Sequence, residues 1–180
     1  MNYVKGNIIS LARKGEFDVI AHGCNCLSTM GAGLAPQMAK EFGCDNFPME
    51  RWGPSIHKLG NIDYRTLYLE DNKRWVQYPD EGGKWVTAVI TAVNAYTQYS
   101  YGKNHADGVD APFDYDAFTL CMRKMNHQFK GKRIGLPMIG AGLAGGDWNK
   151  IEQIIKDELK DCIITIVIYD NKKYTGRADV

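Results

Sequence analysis

Short, almost uninterrupted apolar runs recur along this chain, and segments with helical spacing separate them. The runs are Asp18-Val19-Ile20-Ala21, Trp85 to Val93, Arg133 to Met138 and Ile163 to Tyr169. A strand covered on one face alternates apolar with polar residues, whereas one without alternation is covered on both. These runs therefore predict a parallel or mixed sheet with helices on each side. Tyr64 to Leu69 alternates, which predicts an edge or half-exposed strand.

Three helices are expected between the strands. The first runs from about Gly33 to Phe42, with Leu34, Met38 and Phe42 on one stripe. The second starts at Pro112, a residue favoured at the first helical position, and buries Phe118, Met122, Met125 and Phe129. The third follows Asp147, a good N-cap, and buries Ile151, Ile154, Ile155 and Leu159. Two segments fit neither pattern: Gly43 to Asn61, with Trp52, Pro54 and His57, and Asn94 to Ala111, with Tyr96, Tyr99, Tyr101 and His105. Loops this long are either packed surface connections or binding loops.

The 180 residues suit one domain, expected over 1–171, with a polar C-terminal tail over 172–180. Lys plus Arg number 22 and Asp plus Glu 21, so no bulk charge favours nucleic acid or an anionic membrane as a general partner. No apolar run approaches the ~20 residues of a membrane span, and Met1 to Gly6 lacks the apolar stretch of a signal peptide. Five cysteines, at 24, 26, 44, 121 and 162, read as free thiols in a reducing compartment, which makes a cytoplasmic location the expectation. Cys24 and Cys26 have His22 nearby, but a structural zinc site needs four ligands and there is no second cysteine pair. No metal is expected, and the two thiols read as small packing residues.

The chemistry concentrates in two glycine-rich turns. The run Asp18–Ala21 leads into His22-Gly23-Cys24-Asn25-Cys26, and Met30-Gly31-Ala32-Gly33-Leu34-Ala35 then opens a helix. The run Arg133–Met138 leads into Ile139-Gly140-Ala141-Gly142-Leu143-Ala144-Gly145-Gly146, which opens another. Backbone N–H groups at such strand-to-helix turns bind anions, and ligands of open α/β sheets sit beyond the carboxyl ends of the strands. Two such turns side by side can clamp a diphosphate. Neither fits the Rossmann fingerprint or the P-loop, and glycines also serve ordinary turns. His22, at a strand end, is either structural or a proton-transfer group. Asp147 is a helix cap, a carboxylate that positions water, or both.

Four stretches carry a family resemblance: Tyr3 to Ile8, Ile20 to Cys26, Met30 to Ala35, and Leu136 to Trp148. In order and spacing they resemble the macro domain family across nearly the whole chain. Within it, the His-x-Cys-Asn-Cys turn is similar to the ADP-ribose 1''-phosphate phosphatases typified by a yeast enzyme. The Gly-Gly-Asp-Trp stretch is similar to bacterial macro domains that remove ADP-ribose from macromolecules.

The resemblance implies a three-layer α/β/α domain with a central mixed sheet and ADP-ribose along a cleft. It implies a first phosphate loop at Gly31, Ala32, Gly33 and Leu34, and a second at Gly140, Ala141, Gly142 and Leu143. Asn25 matches an asparagine near the distal ribose. Asn7, next to Ile8, stands where an acidic residue usually recognises the adenine amino group; its amide oxygen can accept that bond without the charge. Tyr169 matches an aromatic that stacks on adenine in some members, or is a strand-end core residue. One branch uses a lysine after the fourth apolar strand as a nucleophile; here that place reads Ile90-Thr91-Ala92-Val93-Asn94, and Lys103 lies farther along.

The implied activity is hydrolysis of ADP-ribose 1''-phosphate, with Asn25 orienting the ribose, His22 assisting proton transfer and Asp147 activating water. No cofactor is implied. The alternatives are a hydrolase that frees ADP-ribose from protein or nucleic acid, and a non-catalytic ADP-ribose reader. Nucleic acid enters only as an ADP-ribosylated substrate, a membrane does not enter, and a monomer is expected.

Overall fold

The computed structural model describes residues 1–47, 55–70, 74–77, 89–101 and 112–170. In chain order the strands are β1 (Asn2–Lys5), β2 (Val19–Asn25), β3 (Ile62–Glu70), β4 (Arg74–Gln77), β5 (Val89–Gln98), β6 (Arg133–Pro137) and β7 (Ile163–Ile168). The helices are α1 (Ile8–Arg13), α2 (Ala35–Phe42), α3 (Tyr115–Gln128) and α4 (Trp148–Glu158), with a 3₁₀ turn at Cys44–Asn46. The sheet order is β1-β7-β6-β2-β5-β3-β4. β1, β7, β6, β2 and β5 run parallel, while β3 is antiparallel to β5 and β4 to β3.

Residue alternation along the strands divides the core in two. Val19 and Ala21 of β2 and Val93 and Ala95 of β5 pack on one side with Phe118, Met122 and Met125 of α3 and Ile151 and Ile155 of α4. Ile20, Ile90 and Ala92 face the other side, against Ile8, Ile9 and Ala12 of α1 and Met38 and Phe42 of α2. A sheet buried on both faces explains the unbroken apolar runs. The protein is the expected three-layer α/β/α domain with a mixed sheet.

Several boundaries differ from the sequence reading. The helix expected from Gly33 begins at Ala35, because Gly33 adopts a left-handed φ of 65° and shapes the turn before it. The helix expected at Pro112 begins at Tyr115, because Asp114 takes the cap position and its side chain accepts from the Ala117 N–H at 2.8 Å. Helix α1 was not expected. Asn7 caps it, accepting from Ile9 N at 2.9 Å and Ser10 N at 3.2 Å. β3 is next to last in the sheet: β4 pairs with its Leu67 to Glu70, while Tyr64 is exposed and Arg65 and Thr66 are half-buried, as a half-exposed strand requires. Asn94 to Gln98 belong to β5 rather than to a long connection, and Tyr96 is 1% exposed. Trp52, Pro54, Trp85, Lys103, His105 and the 172–180 tail lie outside the described residues.

Candidate functional site

Parallel strands place their carboxyl ends on one edge of the sheet. Along that edge the chain leaves β2 through residues 26–34 and leaves β6 through residues 138–147. These two segments flank a cleft of about 690 Å³, whose floor includes His22, Asn25 and Thr97.

The first turn is tied down by side chains. Asn25 Oδ1 accepts from the N–H groups of Leu27 at 3.1 Å and Thr29 at 3.2 Å, and its Nδ2 donates to Thr29 Oγ1 at 2.8 Å. Between them Ser28 adopts φ 57°, a left-handed conformation in a residue that carries a Cβ. The second turn is tied down by packing. Phe113 covers Gly140 so closely that a Cβ there would lie 2.2 Å from its ring, and Gly140 has a left-handed φ of 77°. The Gly146 N–H donates to Gly140 O at 2.8 Å, which closes the turn on itself. The turns meet across the cleft, where a Cβ at Gly33 would stand 3.7 Å from Leu143 Cδ1.

What both turns present is unpaired backbone. Among the described residues, no acceptor reaches the N–H groups of Gly31, Ala32, Gly33 and Leu34 on one side, or of Gly140, Gly142, Leu143 and Ala144 on the other. All eight residues line the cleft. Unsatisfied N–H groups on facing loops form an anion site. Leu143, 79% exposed, leaves its side chain bare at the cleft mouth.

His22 is 2% exposed. Its Nε2 lies 2.7 Å from Asn94 Oδ1, and Asn94 Nδ2 donates to Cys44 O at 2.8 Å. With the amide nitrogen so engaged, Asn94 Oδ1 is an acceptor and His22 Nε2 carries the proton. Burial lowers the imidazole pKa to about 4, against the opposing bond from Asn94. Near pH 7 the ring is therefore neutral and its N–H is committed to Asn94. This geometry leaves no imidazole proton for a departing sugar oxygen.

Asp147 is exposed and is the N-cap of α4, accepting from Asn149 N at 2.9 Å. Its own N–H donates to Tyr115 Oη at 2.8 Å, and the residue does not line the cleft. The carboxylate is thus placed as the cap of α4, outside the residues that line the cleft. Ile8, 5% exposed, lies in the core, and Ala141 packs against the opposite core. Asn7 and Tyr169 follow β1 and β7 on the same carboxyl edge, beyond the second turn, with Tyr169 53% exposed. Asn7 Oδ1 is engaged by α1, so an adenine amino group would share an oxygen already accepting twice.

The segment Asn94 to Ala111, read as a packed connection or a binding loop, supplies Tyr101 to the cleft lining; sequence reasoning did not single out Thr97 and Gln98, which also line the cleft, or Asn94 beneath it. The strand-favouring residues Tyr96 and Thr97, running on from the apolar stretch, were the available signal. Among the described residues no group of three or more His, Cys, Asp or Glu is placed to hold a metal ion. Burial raises the thiols of Cys26 to about 11 and Cys44 to about 12, as expected of packing residues.

No protein-family model matches the chain. A protein of Enterobacteria phage T4, described as an uncharacterized 17.5 kDa protein in the tk-vs intergenic region, is 32% identical over 178 residues, covering 94% of this chain and 97% of the relative. An ADP-ribose 1''-phosphate phosphatase of Meyerozyma guilliermondii is 24% identical, covering 87% of this chain and 92% of the enzyme. Among solved structures, the macrodomain of Thermus aquaticus DarG superposes with a TM-score of 0.61 at 18% identity, covering 94% of this chain and 97% of that one. With two glycine turns at the carboxyl edge of a seven-stranded sheet and relatives that cover most of it, this chain is a macro domain in fold, belongs to one family with the phage T4 protein, and resembles the yeast-type ADP-ribose 1''-phosphate phosphatases.

Proposed function

We propose that the cleft binds ADP-ribose or its 1''-phosphate. One observation carries this reading: two facing turns offer eight backbone N–H groups that no acceptor reaches among the described residues. A diphosphate between them would be held by backbone, with no lysine or arginine among the described residues that line the cleft. On one side the same edge leads past β7 and β1 to Tyr169 and Asn7, a place for the adenine. On the other side lie Asn25 and the end of β5, a place for the distal ribose. Asn25 acts here mainly by shaping the first turn, its Nδ2 donating to Thr29 Oγ1 and, at 3.4 Å, to Thr29 O.

For chemistry we favour release of the 1''-phosphate, in line with the yeast relative's name. A second reading, a non-catalytic reader, is favoured by one feature: among the described residues that line the cleft there is no carboxylate, and the one histidine is neutral. Removal of ADP-ribose from protein or nucleic acid is the third arm of the same test. The protein is incubated with ADP-ribose 1''-phosphate and, separately, with ADP-ribosylated protein and DNA, and inorganic phosphate and free ADP-ribose are measured. Phosphate release supports the favoured reading, and free ADP-ribose from a macromolecule replaces it. Binding of ADP-ribose by calorimetry with no turnover leaves the reader. No binding at all overturns the proposal.

A further inference from the structure

Behind the first turn lies a buried ionic cluster that the proposed function leaves unused. Lys58 is 1% exposed, a placement lysine adopts only when its charge is answered. Its Nζ donates to Ser28 Oγ at 2.8 Å and stands 5.6 Å from the Tyr96 ring centroid. Tyr96 Oη donates to Asp63 Oδ2 at 2.7 Å and lies 3.4 Å from Ser28 Oγ. Asp63 Oδ1 is buried with no hydrogen-bond partner among the described residues. Ser28 Oγ therefore joins the buried Lys58 ammonium to the Tyr96 hydroxyl, which in turn donates to the buried Asp63 carboxylate.

Ser28 is also the residue with a strained backbone. Among the described residues it alone, outside glycine, has a positive φ, 57°. Such a conformation persists only where its surroundings hold it. It lies between the Asn25 clamp and the free N–H groups of Gly31 to Leu34. Among the described cleft-lining residues there is no lysine or arginine, so the positive charge nearest this turn in the cluster is behind it.

We propose that Lys58 is a positioning residue: its bond to Ser28 Oγ holds the left-handed turn that sets the first anion-binding loop. The assignment rests on the reading of that loop as half of an ADP-ribose site. Asp63 and Tyr96 balance the buried ammonium and keep it aimed at Ser28.

The test reads the loop directly and then the ligand. Lys58→Met alone would strand a buried carboxylate, so the variant is Lys58→Met with Asp63→Asn. Amide hydrogen exchange over Ser28 to Leu34, without ligand, is expected to rise at least about tenfold while β5 amides stay protected. The dissociation constant for ADP-ribose is expected to rise at least about tenfold. Adding Ser28→Gly should recover at least about threefold of that loss, because glycine takes φ near 57° without an anchor. If the paired variant does not fold, Ser28→Ala, which removes only the hydroxyl, carries the same exchange and affinity expectations. Unchanged exchange over Ser28 to Leu34 in a folded variant overturns the proposal. Raised exchange in a protein whose wild type ignores ADP-ribose would sink the proposed function and leave Lys58 as the residue that sets this turn.

Discussion

The two turns that flank the cleft do the same job by opposite means. The first is held by polar side chains: Asn25 bonds to Leu27 and Thr29, and Ser28 is pinned from behind by Lys58. The second is held by shape: Phe113 lies against Gly140 and Gly146, and the turn bonds to itself. Hydrogen bonds fix a turn by direction, so a lost partner loosens it; close packing fixes a turn by volume, so an added atom breaks it. The first turn should be sensitive to side-chain deletion and to protonation, the second to addition.

The sharpest test of that contrast is Gly140→Ala. The added methyl meets the Phe113 ring and must also adopt a left-handed φ. The expected loss is about 2–4 kcal/mol in the denaturant midpoint, from overpacking and backbone strain together. A stable Gly140→Ala protein would show that packing does not hold this turn.

The next effect belongs to the floor beneath the first turn. His22 has a folded-state pKa of about 4, below the ordinary value of 6.5. Between those two values the unfolded chain binds a proton that the folded protein refuses. Stability should therefore fall as pH drops from about 6.5 to 4 and level off below, by about 3 kcal/mol in all. Urea midpoints measured across that range for wild type and His22→Gln isolate the histidine, since the glutamine variant should lose this part of the slope. Equal slopes would mean that His22 is not held neutral.

Gly142 gives a smaller effect on stability and a large one on binding. No atom lies within 4 Å of an added Cβ, and its φ is outside the left-handed region. Gly142→Glu should fold with a midpoint near that of wild type. Its carboxylate should fill the anion site, so that ADP-ribose no longer raises the melting temperature. Two glycines two residues apart would then differ in kind, Gly140 needed for folding and Gly142 for ligand. Retained binding would remove the second turn from the site.

The smallest expected effect lies at the end of that turn. Asp147→Ala should lose about 0.5–2 kcal/mol through the cap of α4, while Asp147→Asn should keep both stability and any phosphate release. A stable Asp147→Asn protein with turnover reduced at saturating substrate would return the carboxylate to the chemistry.

The layers were legible because burial on both faces imposes itself on the central residues of β2 and β6 and on most of β7. The short helix α1 was not. Its stripe of Ile8, Ile9 and Ala12 lies in a helix of six residues, too few for a period to stand out, and its start is marked only by Asn7. The glycine turns were legible because glycine has few other uses in such density. Lys58 and Asp63 were not, because nothing local distinguishes a lysine that folds inward from one that faces water. Their pairing through Tyr96 and Ser28 joins residues from three separate stretches of chain. For His22, position was legible and protonation was not, since the latter depends on burial in the assembled fold, against the bond from Asn94 of a neighbouring strand.

The order in which the strands pair sets the order in which the chain can finish folding. β1 is synthesised before the other strands of this sheet, yet its partner is β7, with Asn2 opposite Thr165. β2 likewise waits for β5 and β6. Nearly the whole chain must be synthesised before the first strand can dock, and such long-range pairing slows folding. The four exposed residues of β1 make that wait tolerable, because so short a segment offers other chains little edge to join. A nascent chain stalled before β7 would hold both its ends unpaired.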